Sequence, residues 1–327
     1  MAAGTFLLPA IFSWGQAGRE PAEAERQGRQ AEGYVDAEGG VRLYYRVLGS
    51  AGDTVVVVHG GPGAGMGAIL PHVAPLAEDH VLVFYDQRGG GRSTLPEDTA
   101  LLAGRYHVQD LEAVRRHFGL ERLALIAHSF GAILAAEYAV EYPDRVERMV
   151  FLKATGPKRA AAAAIYTSPY EQADSATVDS LRTVLGQLLQ GTGDDPVALC
   201  REYERLGLVI ARQIGRAVNW RGTTCDAPPE AVRYYYRYTA QLGPKSFGDW
   251  DFTGGLEEIE APVLVVQGAR DTLGLPVQRA WASAFPLGRL LLVPATDTPI
   301  ADRPQVVFDA IEEFFAGEWP AGSTPVP

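Results

Sequence analysis

A serine in a tight turn between a predicted strand and a predicted helix is the residue best suited to chemistry in this sequence. The segment Ala127-His128-Ser129-Phe130-Gly131 has a small residue two positions before the serine and a glycine two positions after it. Such a turn exposes the serine hydroxyl for attack on a carbonyl carbon. That attack needs a base to remove the hydroxyl proton, because a free serine is a weak nucleophile.

The usual base is missing from its expected place. In folds built around this turn, the nucleophile, the acid and the base follow one another in that chain order, so a histidine should come last. All histidines instead precede Ser129: His59, His72, His80, His107, His117 and His128. The sequence therefore predicts the framework for covalent carbonyl chemistry without its ordinary general base.

A glycine-rich turn upstream is suited to bind the negative charge that such chemistry creates. His59-Gly60-Gly61-Pro62-Gly63 follows the apolar run 54–58, and glycines let backbone N–H groups approach a ligand closely. The N–H of Phe130, at the start of the helix after the serine, is the second predicted donor. His59 and Gly60 are expected to contact substrate. The charges of the later loop 86–93 are expected to form structural Arg–carboxylate pairs.

Short β-rich runs alternate with helical patterns, which predicts an α/β protein with a mainly parallel sheet. Residues 157–248 interrupt this alternation with a helical, tyrosine-rich segment, interpreted as an inserted lid. The predicted organisation is a disordered tail at 1–32, a core at 33–156 and 249–318, the lid at 157–248 and a C-terminal tail at 319–327. Strands are predicted at 41–47, 54–58, 81–85, 122–127, 148–152, 262–267 and 289–293, with helices at 129–142 and 304–316.

The order of the glycine-rich turn, the loop Asp86–Ser93 and the serine turn resembles the proline iminopeptidase branch of the α/β-hydrolases. The resemblance is close over 40–155 and looser over 255–316. It implies an α/β-hydrolase fold, with Ser129 as nucleophile, Gly61 and Phe130 as oxyanion donors and Asp271 as the acid. The lid lacks the tryptophan-rich helices expected of proline iminopeptidases, which leaves the substrate open.

The sequence departs from this family after the last predicted strand. Counting back from Asp302-Arg303-Pro304 places Asp297 in the histidine position, whereas counting forward from the strand places Thr298 there. If Asp297 faces Asp271, the two carboxyls are expected to share one proton and to act as a general acid and base. The alternative is that Asp297 points into solvent.

Three functional hypotheses follow. The first is a tailoring enzyme that performs cyclisation, elimination or isomerisation on a small carbonyl-containing, polyketide-like metabolite. The second is an atypical serine hydrolase of esters, lactones or amides, in which Asp297, His59 or the substrate activates Ser129. The third is a ligand-binding protein without catalysis. Tyr234, Tyr235 and Tyr238 on the lid are expected either to line the pocket or to pack against the core.

The composition of the chain excludes several classes of binding partner. A net charge of −11 disfavours nucleic acid and anionic membranes, and no apolar run reaches the length of a membrane span. Neither a metal-ligand spacing nor a dinucleotide fingerprint occurs, so no cofactor or metal is expected. A small-molecule substrate is the expected partner, and the oligomeric state is left open.

The expected state of the two cysteines indicates the cellular compartment of the protein. Cys200 and Cys225 are interpreted as free, partly buried thiols, which fits a reducing cytoplasm. The apolar start of the chain lacks the positive region of a signal peptide and contains Pro9, which makes secretion the weaker alternative.

Overall fold

The computed structural model describes residues 31–216 and 219–327, without the side chains of 163–169. The strands of this part of the chain are β1 Ala31–Ala37, β2 Val41–Leu48, β3 Thr54–Val58, β4 Val81–Tyr85, β5 Leu123–His128, β6 Val146–Leu152, β7 Val263–Gly268, β8 Gly288–Val293 and β9 Thr324–Pro325. They form one sheet in the order β1-β2-β4-β3-β5-β6-β7-β8-β9. Strands β3 to β8 run parallel, while β1, β2 and β9 pair antiparallel to their neighbours at the two edges.

Helices cover the sheet and fill the long connection between β6 and β7. None of the described helices is long and apolar enough to cross a membrane. The α-helices are α1 Leu70–Val73, α2 Gly104–His117, α3 Gly131–Glu141, α4 Arg159–Gln172, α5 Ser175–Gln190, α6 Pro196–Gln213, α7 Pro229–Tyr234, α8 Ala240–Ser246, α9 Leu275–Ala284, α10 Pro299–Asp302 and α11 Pro304–Phe315, with a π-helix at Tyr235–Thr239 between α7 and α8.

The central strands are buried because their sequences are apolar on both faces. All five residues of β4 are buried, as are the last four of β3. One face carries a core that includes Phe151 and Trp281, packed with α3 and α9, and the other carries a core that includes Ile126 and Phe314, packed with α11. This double burial is typical of parallel sheets, and it confirms the predicted α/β fold with a mainly parallel sheet.

Two edge strands were not predicted. Residues 31 and 32, assigned to the disordered tail, begin β1, and β9 lies within the predicted C-terminal tail. Strand β1 has one buried residue, Val35, among small and exposed positions, and its partner β2 supplies the pairing. Strand β9 has only two residues, which is too short for a periodic pattern. The rest of the tail prediction, residues 1–30, lies outside the described residues.

The cysteine prediction is wrong. Cys200 on α6 and Cys225, just before α7, form a disulfide across 25 residues. The two positions are distant in sequence and adjacent in the fold, which a count of cysteines cannot reveal. The inference of a reducing compartment depended on free thiols, so it loses that support.

The helical segment between β6 and β7, called the insert below, is fastened to the glycine-rich loops of the core. Thr239 Oγ1, in the π-helix, donates a buried hydrogen bond of 2.7 Å to the carbonyl of Gly89. A Cβ on Gly63 would lie 2.5 Å from Thr239 Cγ2. Glycine at this position is therefore needed for the insert to approach the core this closely.

Arg88 is a buried cation that fixes the loop after β4. Its Nε and Nη2 donate to the two carboxylate oxygens of Asp110 on α2 at 2.7 and 2.5 Å, and both side chains are almost fully buried. A third bond of 3.1 Å runs from Nη1 to the carbonyl of Leu101. This arrangement agrees with the structural role predicted for the charges of this loop.

Three buried histidines stay neutral in the folded protein. Burial lowers the pKa of His59 to about 4, and that of His107 and His128 to about 3, since each imidazolium would lose its hydration. In the unfolded chain these side chains bind protons near the ordinary value of about 6.5. The unfolded state therefore takes up more protons in mildly acidic solution.

We expect the free energy of unfolding to be highest above about pH 6.5 and to fall as the pH decreases toward 4. Each of the three histidines contributes at most about 1.4 kcal/mol per pH unit in that window. Burial raises the pKa values of Asp86 and Asp110 to about 6, so the folded state binds their protons and offsets part of this loss. Urea unfolding followed by tryptophan fluorescence between pH 7 and 5 measures the slope. His128→Gln should reduce it by about one histidine's share, and a stability that does not change over this range would contradict the expectation.

We expect Arg88→Met to lower the free energy of unfolding by about 3–5 kcal/mol, because it leaves the Asp110 carboxylate buried without its partner. Replacing both members, in Arg88→Met/Asp110→Leu, removes the unpaired charge and should recover much of that loss. Urea unfolding of the three proteins tests this. A single variant within about 0.5 kcal/mol of the parent would show that the pair is not needed.

Candidate active site

Ser129 occupies the junction between β5 and α3 in a left-handed backbone conformation. Its φ is +53°, which is unfavourable for a residue with a Cβ and costs about 1–3 kcal/mol. Close packing holds the turn in place, because a Cβ on Gly131 would lie 2.4 Å from the carbonyl oxygen of Val58. The glycine two positions after the serine is thus required by the approach of α3 to β3.

The two predicted oxyanion donors lie on either side of this turn. Within the described residues, the N–H groups of Gly61 and Phe130 donate no hydrogen bond to the protein. Gly60 brings the first turn against the serine, since a Cβ there would lie 2.8 Å from Ser129 Cβ and 3.2 Å from Oγ. Gly60 also lines the cavity that contains Ser129. Both N–H groups remain available to an oxyanion on a substrate.

Lys153 has the second left-handed backbone among non-glycine residues of the described chain, with φ +48°. It follows β6, the strand next to β5. The Ser129 N–H donates to the Leu152 carbonyl at 3.1 Å, and the Thr155 N–H donates to the Ser129 carbonyl at 3.0 Å. These bonds on both sides of Lys153 tie its turn to the serine turn. Lys153 and Ser129 accordingly line the same cavity.

Sequence reasoning did not select Lys153 as a functional residue. Two signals could have found it: it is one of three lysines in the chain, and it directly follows a predicted buried strand adjacent to the serine strand. Polar residues at the carboxyl ends of parallel strands collect at the edge of the sheet where ligands bind.

Lys153, Asp297, Arg216 and Asp271 form a chain of alternating charges beside the serine. Lys153 Nζ donates to Asp297 Oδ2 at 2.6 Å. Arg216 reaches both carboxylates, with Nη1 3.8 Å from Asp297 Oδ2 and Nη2 3.5 Å from Asp271 Oδ1. Asp271 Oδ2 also accepts from the Gln267 amide at 3.0 Å. A small cavity of about 70 Å³ is lined by Ser129 together with all four charged residues.

This geometry changes the role expected of the two carboxyls. Asp297 is 5% exposed, so it does not point into solvent. The partner it binds is Lys153, with Arg216 placed between it and Asp271, and the sharing of one proton between the carboxyls finds no support. Asp297 Oδ1 and Thr298 Oγ1 are buried without a hydrogen-bond partner among the described residues. Asp297 thus joins the network of charges that reaches Asp271.

The histidines near the serine are placed for packing. His59 is fully buried, with Nδ1 2.6 Å from the Gly60 carbonyl and Nε2 accepting from the Gln87 N–H at 3.0 Å, so both ring nitrogens are used and it lines neither cavity beside Ser129. The position of His59 outside both cavities gives no support to the substrate contact predicted for it. Trp220 stacks between His72 and His128, at ring-centroid distances of 4.1 and 5.2 Å. His128 thus packs beside Ser129 as a neutral ring.

Two larger cavities meet beside the serine. The Lys153 cavity, about 510 Å³, is lined by Ser129, Lys153, Arg216, Asp297 and Thr298 among others. The Trp250 cavity, about 550 Å³, is lined by Phe130, Trp250 and residues of the insert. Four residues line both cavities: Gly61, Tyr203, Thr224 and Tyr235.

The three lid tyrosines have different positions. Tyr235 lines both cavities, as expected of a substrate contact. Tyr234 and Tyr238 line neither cavity and pack against each other with ring centroids 5.0 Å apart. The Tyr234 hydroxyl donates to the Pro96 carbonyl at 2.5 Å. These two side chains therefore match the packing alternative.

Comparison with known proteins agrees with this arrangement. A family model described as alpha/beta hydrolase fold matches residues 53–297. A proline iminopeptidase of Heyndrickxia coagulans is 24% identical over 291 residues, covering 86% of this chain and 98% of the relative. One from Saccharolobus solfataricus is 27% identical over 259 residues, covering 73% and 77%. The crystal structure of a Mycobacterium smegmatis proline iminopeptidase superimposes with a TM-score of 0.65 at 20% identity, covering 88% and 98%. The chain belongs to the α/β-hydrolase fold family.

Proposed function

We propose that this protein is a serine hydrolase of small-molecule esters, lactones or amides, in which the Lys153–Asp297 pair replaces the usual histidine. The observation that carries the proposal is the placement of Ser129. It lies on a left-handed turn, beside two N–H groups that donate to no described residue, in the same cavity as a lysine amine. The names of the related proline iminopeptidases support hydrolysis as the reaction class.

In this mechanism the ion-paired ammonium of Lys153 first releases a proton to water, because only the free amine can act as a base. Ser129 Oγ attacks the substrate carbonyl carbon while its proton passes to the Lys153 amine. The carbonyl π electrons move to oxygen, and the N–H groups of Gly61 and Phe130 stabilise the resulting oxyanion. Collapse of this intermediate breaks the bond to the leaving group, which takes the proton from Lys153. Water then repeats the sequence on the acyl-serine and releases the acid.

The carboxylates have electrostatic roles in this proposal. Asp297 orients the Lys153 amine through the 2.6 Å contact and stabilises the ammonium that forms during attack. Asp271, in the acid position of the family, pairs with Arg216. It is linked to Lys153 only through Arg216 and Asp297. Arg216 offsets the negative charge of both carboxylates, so that neither is left uncompensated in the pocket.

The tailoring-enzyme hypothesis has weaker support. It depended on a proton shared by Asp271 and Asp297, whereas each carboxylate faces a cation. It also gives no role to the free oxyanion donors next to Ser129. Loss of turnover in Asp297→Ala together with full turnover in Ser129→Ala would favour acid/base chemistry over the serine mechanism.

We expect a fluorophosphonate probe to label Ser129. Mass spectrometry of the tryptic peptide should detect this label in the parent protein and not in Ser129→Ala.

Lys153→Met should lower kcat/KM for 4-nitrophenyl butyrate by about 10²–10⁴-fold, the usual contribution of a general base. Ethylamine added to Lys153→Ala should restore part of the rate, because a small amine can enter the space that the side chain leaves. A merely structural lysine would give no such rescue.

Lys158→Met is the matched control, since Lys158 forms a similar pair of 2.8 Å with Asp251 on the protein surface. Its kcat/KM should stay within about twofold of the parent. An unlabelled Ser129, or a Lys153→Met protein with undiminished turnover, would contradict the proposed mechanism. Tight ligand binding without turnover or labelling would favour the non-catalytic hypothesis.

We expect Asp297→His to raise ester hydrolysis by about tenfold or more, because an imidazole in this position can remove the Ser129 proton at neutral pH. Thr298→His provides the comparison, as it tests the other alignment of the same loop. Hydrolysis of 4-nitrophenyl butyrate at pH 7.5 measures both. A gain in Thr298→His alone would assign the histidine position to residue 298.

A further inference from the structure

The Trp250 cavity is bordered by different charged groups from the Lys153 cavity, although Gly61 lines both. Two charged side chains border it, and both are used within the protein. Arg159 donates to the Gly248 carbonyl and stacks its guanidinium 5.4 Å from the Trp250 ring centroid. Glu204 accepts from the hydroxyls of Thr223 and Thr224 and from the Thr224 N–H.

The remaining wall of the Trp250 cavity is largely apolar. Leu185 and Leu189 of α5, Ala162 of α4, Pro244 and Trp250 provide aliphatic and aromatic surface. The Lys153 cavity also has apolar walls, including Leu208, Ile210 and Trp220, but the charged side chains of Lys153, Arg216 and Asp297 border it as well. The two cavities therefore differ in the charged cluster of Lys153, Arg216 and Asp297, which borders the Lys153 cavity and not the Trp250 cavity.

The position of the proton donor decides which part of a substrate enters each cavity. In the tetrahedral intermediate, the former carbonyl carbon carries the serine oxygen, the oxyanion, the acyl group and the leaving group. The leaving group needs a proton as it departs, so it must face the side where Lys153 and Asp297 lie. With the oxyanion at Gly61 and Phe130, the acyl group is directed into the Trp250 cavity.

We infer that the substrate is an ester or amide with a large apolar acyl group, bound in the Trp250 cavity, and a polar leaving group, bound in the Lys153 cavity. This inference rests on the proposed serine mechanism and adds the substrate class. A cavity of about 550 Å³ has room for a medium-length alkyl chain or an aryl group. Each methylene buried there contributes about 0.8 kcal/mol, or roughly fourfold in kcat/KM.

The test compares 4-nitrophenyl octanoate with 4-nitrophenyl acetate. The octanoate should have a kcat/KM about 100-fold or more above that of the acetate. Ala162→Phe fills the Trp250 cavity and should lower the octanoate-to-acetate ratio by about tenfold or more. Ala160→Phe, on the exposed face of the same helix, is the matched control and should preserve the ratio. Similar kcat/KM values for the two esters, or an unchanged ratio in Ala162→Phe, would overturn the inference.

Two further measurements keep the tests of substrate class and mechanism separate. If Ala162→Phe fails to fold, Leu189→Gln places a polar group in the same cavity and should lower the ratio instead. If Ser129 proves unreactive toward fluorophosphonates, the serine mechanism fails, and calorimetric titration with octanamide and acetamide tests the cavity alone. Octanamide binding that Leu189→Gln weakens would support the apolar cavity, whereas equal or absent binding of the two amides would reject it.

Discussion

The left-handed turn at Ser129 is the constraint on which the site depends. A serine held at φ +53° is stable only where the surrounding structure leaves the chain no alternative. Here α3 begins against the carbonyl end of β3, and the glycine-rich turn after β3 presses on the serine itself. The strain is offset by the sheet core on both faces, which fixes the ends of β3 and β5 relative to each other.

The same constraint extends to the neighbouring strand. Hydrogen bonds from Ser129 to the turn after β6 place Lys153 beside it, in a second left-handed conformation. Two such residues at adjacent strand ends are a costly feature, and unfavourable backbone of this kind concentrates at functional sites. A charged network brings an amine, two carboxylates and a guanidinium to the cavity wall that Ser129 shares. The network pairs two cations with two carboxylates, so its charges sum to zero. This pairing lowers the cost of placing four ionisable side chains in one partly buried site.

The insert forms much of the wall of the two cavities beside Ser129. Its π-helix is fastened to the glycine-rich loops through Thr239, and its disulfide joins α6 to the segment that precedes α7. Tyr203 and Tyr235, both from the insert, line the passage between the two cavities. The core therefore supplies Ser129 and the glycine-rich turn, while the insert supplies Arg216 and much of the wall of both cavities.

The sequence by itself determined the fold and the positions of the serine turn and the glycine-rich turn. Short apolar runs rich in valine, such as 54–58 and 81–85, indicate strands buried on both faces. The serine turn and the glycine-rich turn can be located in the sequence because glycine is needed where backbones touch. Lys153, the ion pairing of Asp297 and the disulfide were decided by tertiary structure. Each joins residues far apart in the chain, for example 153 with 297 and 200 with 225, and local pattern contains no information about such distances. The edge strand β1 was likewise defined by its partner β2, since only Val35 of its seven residues is buried.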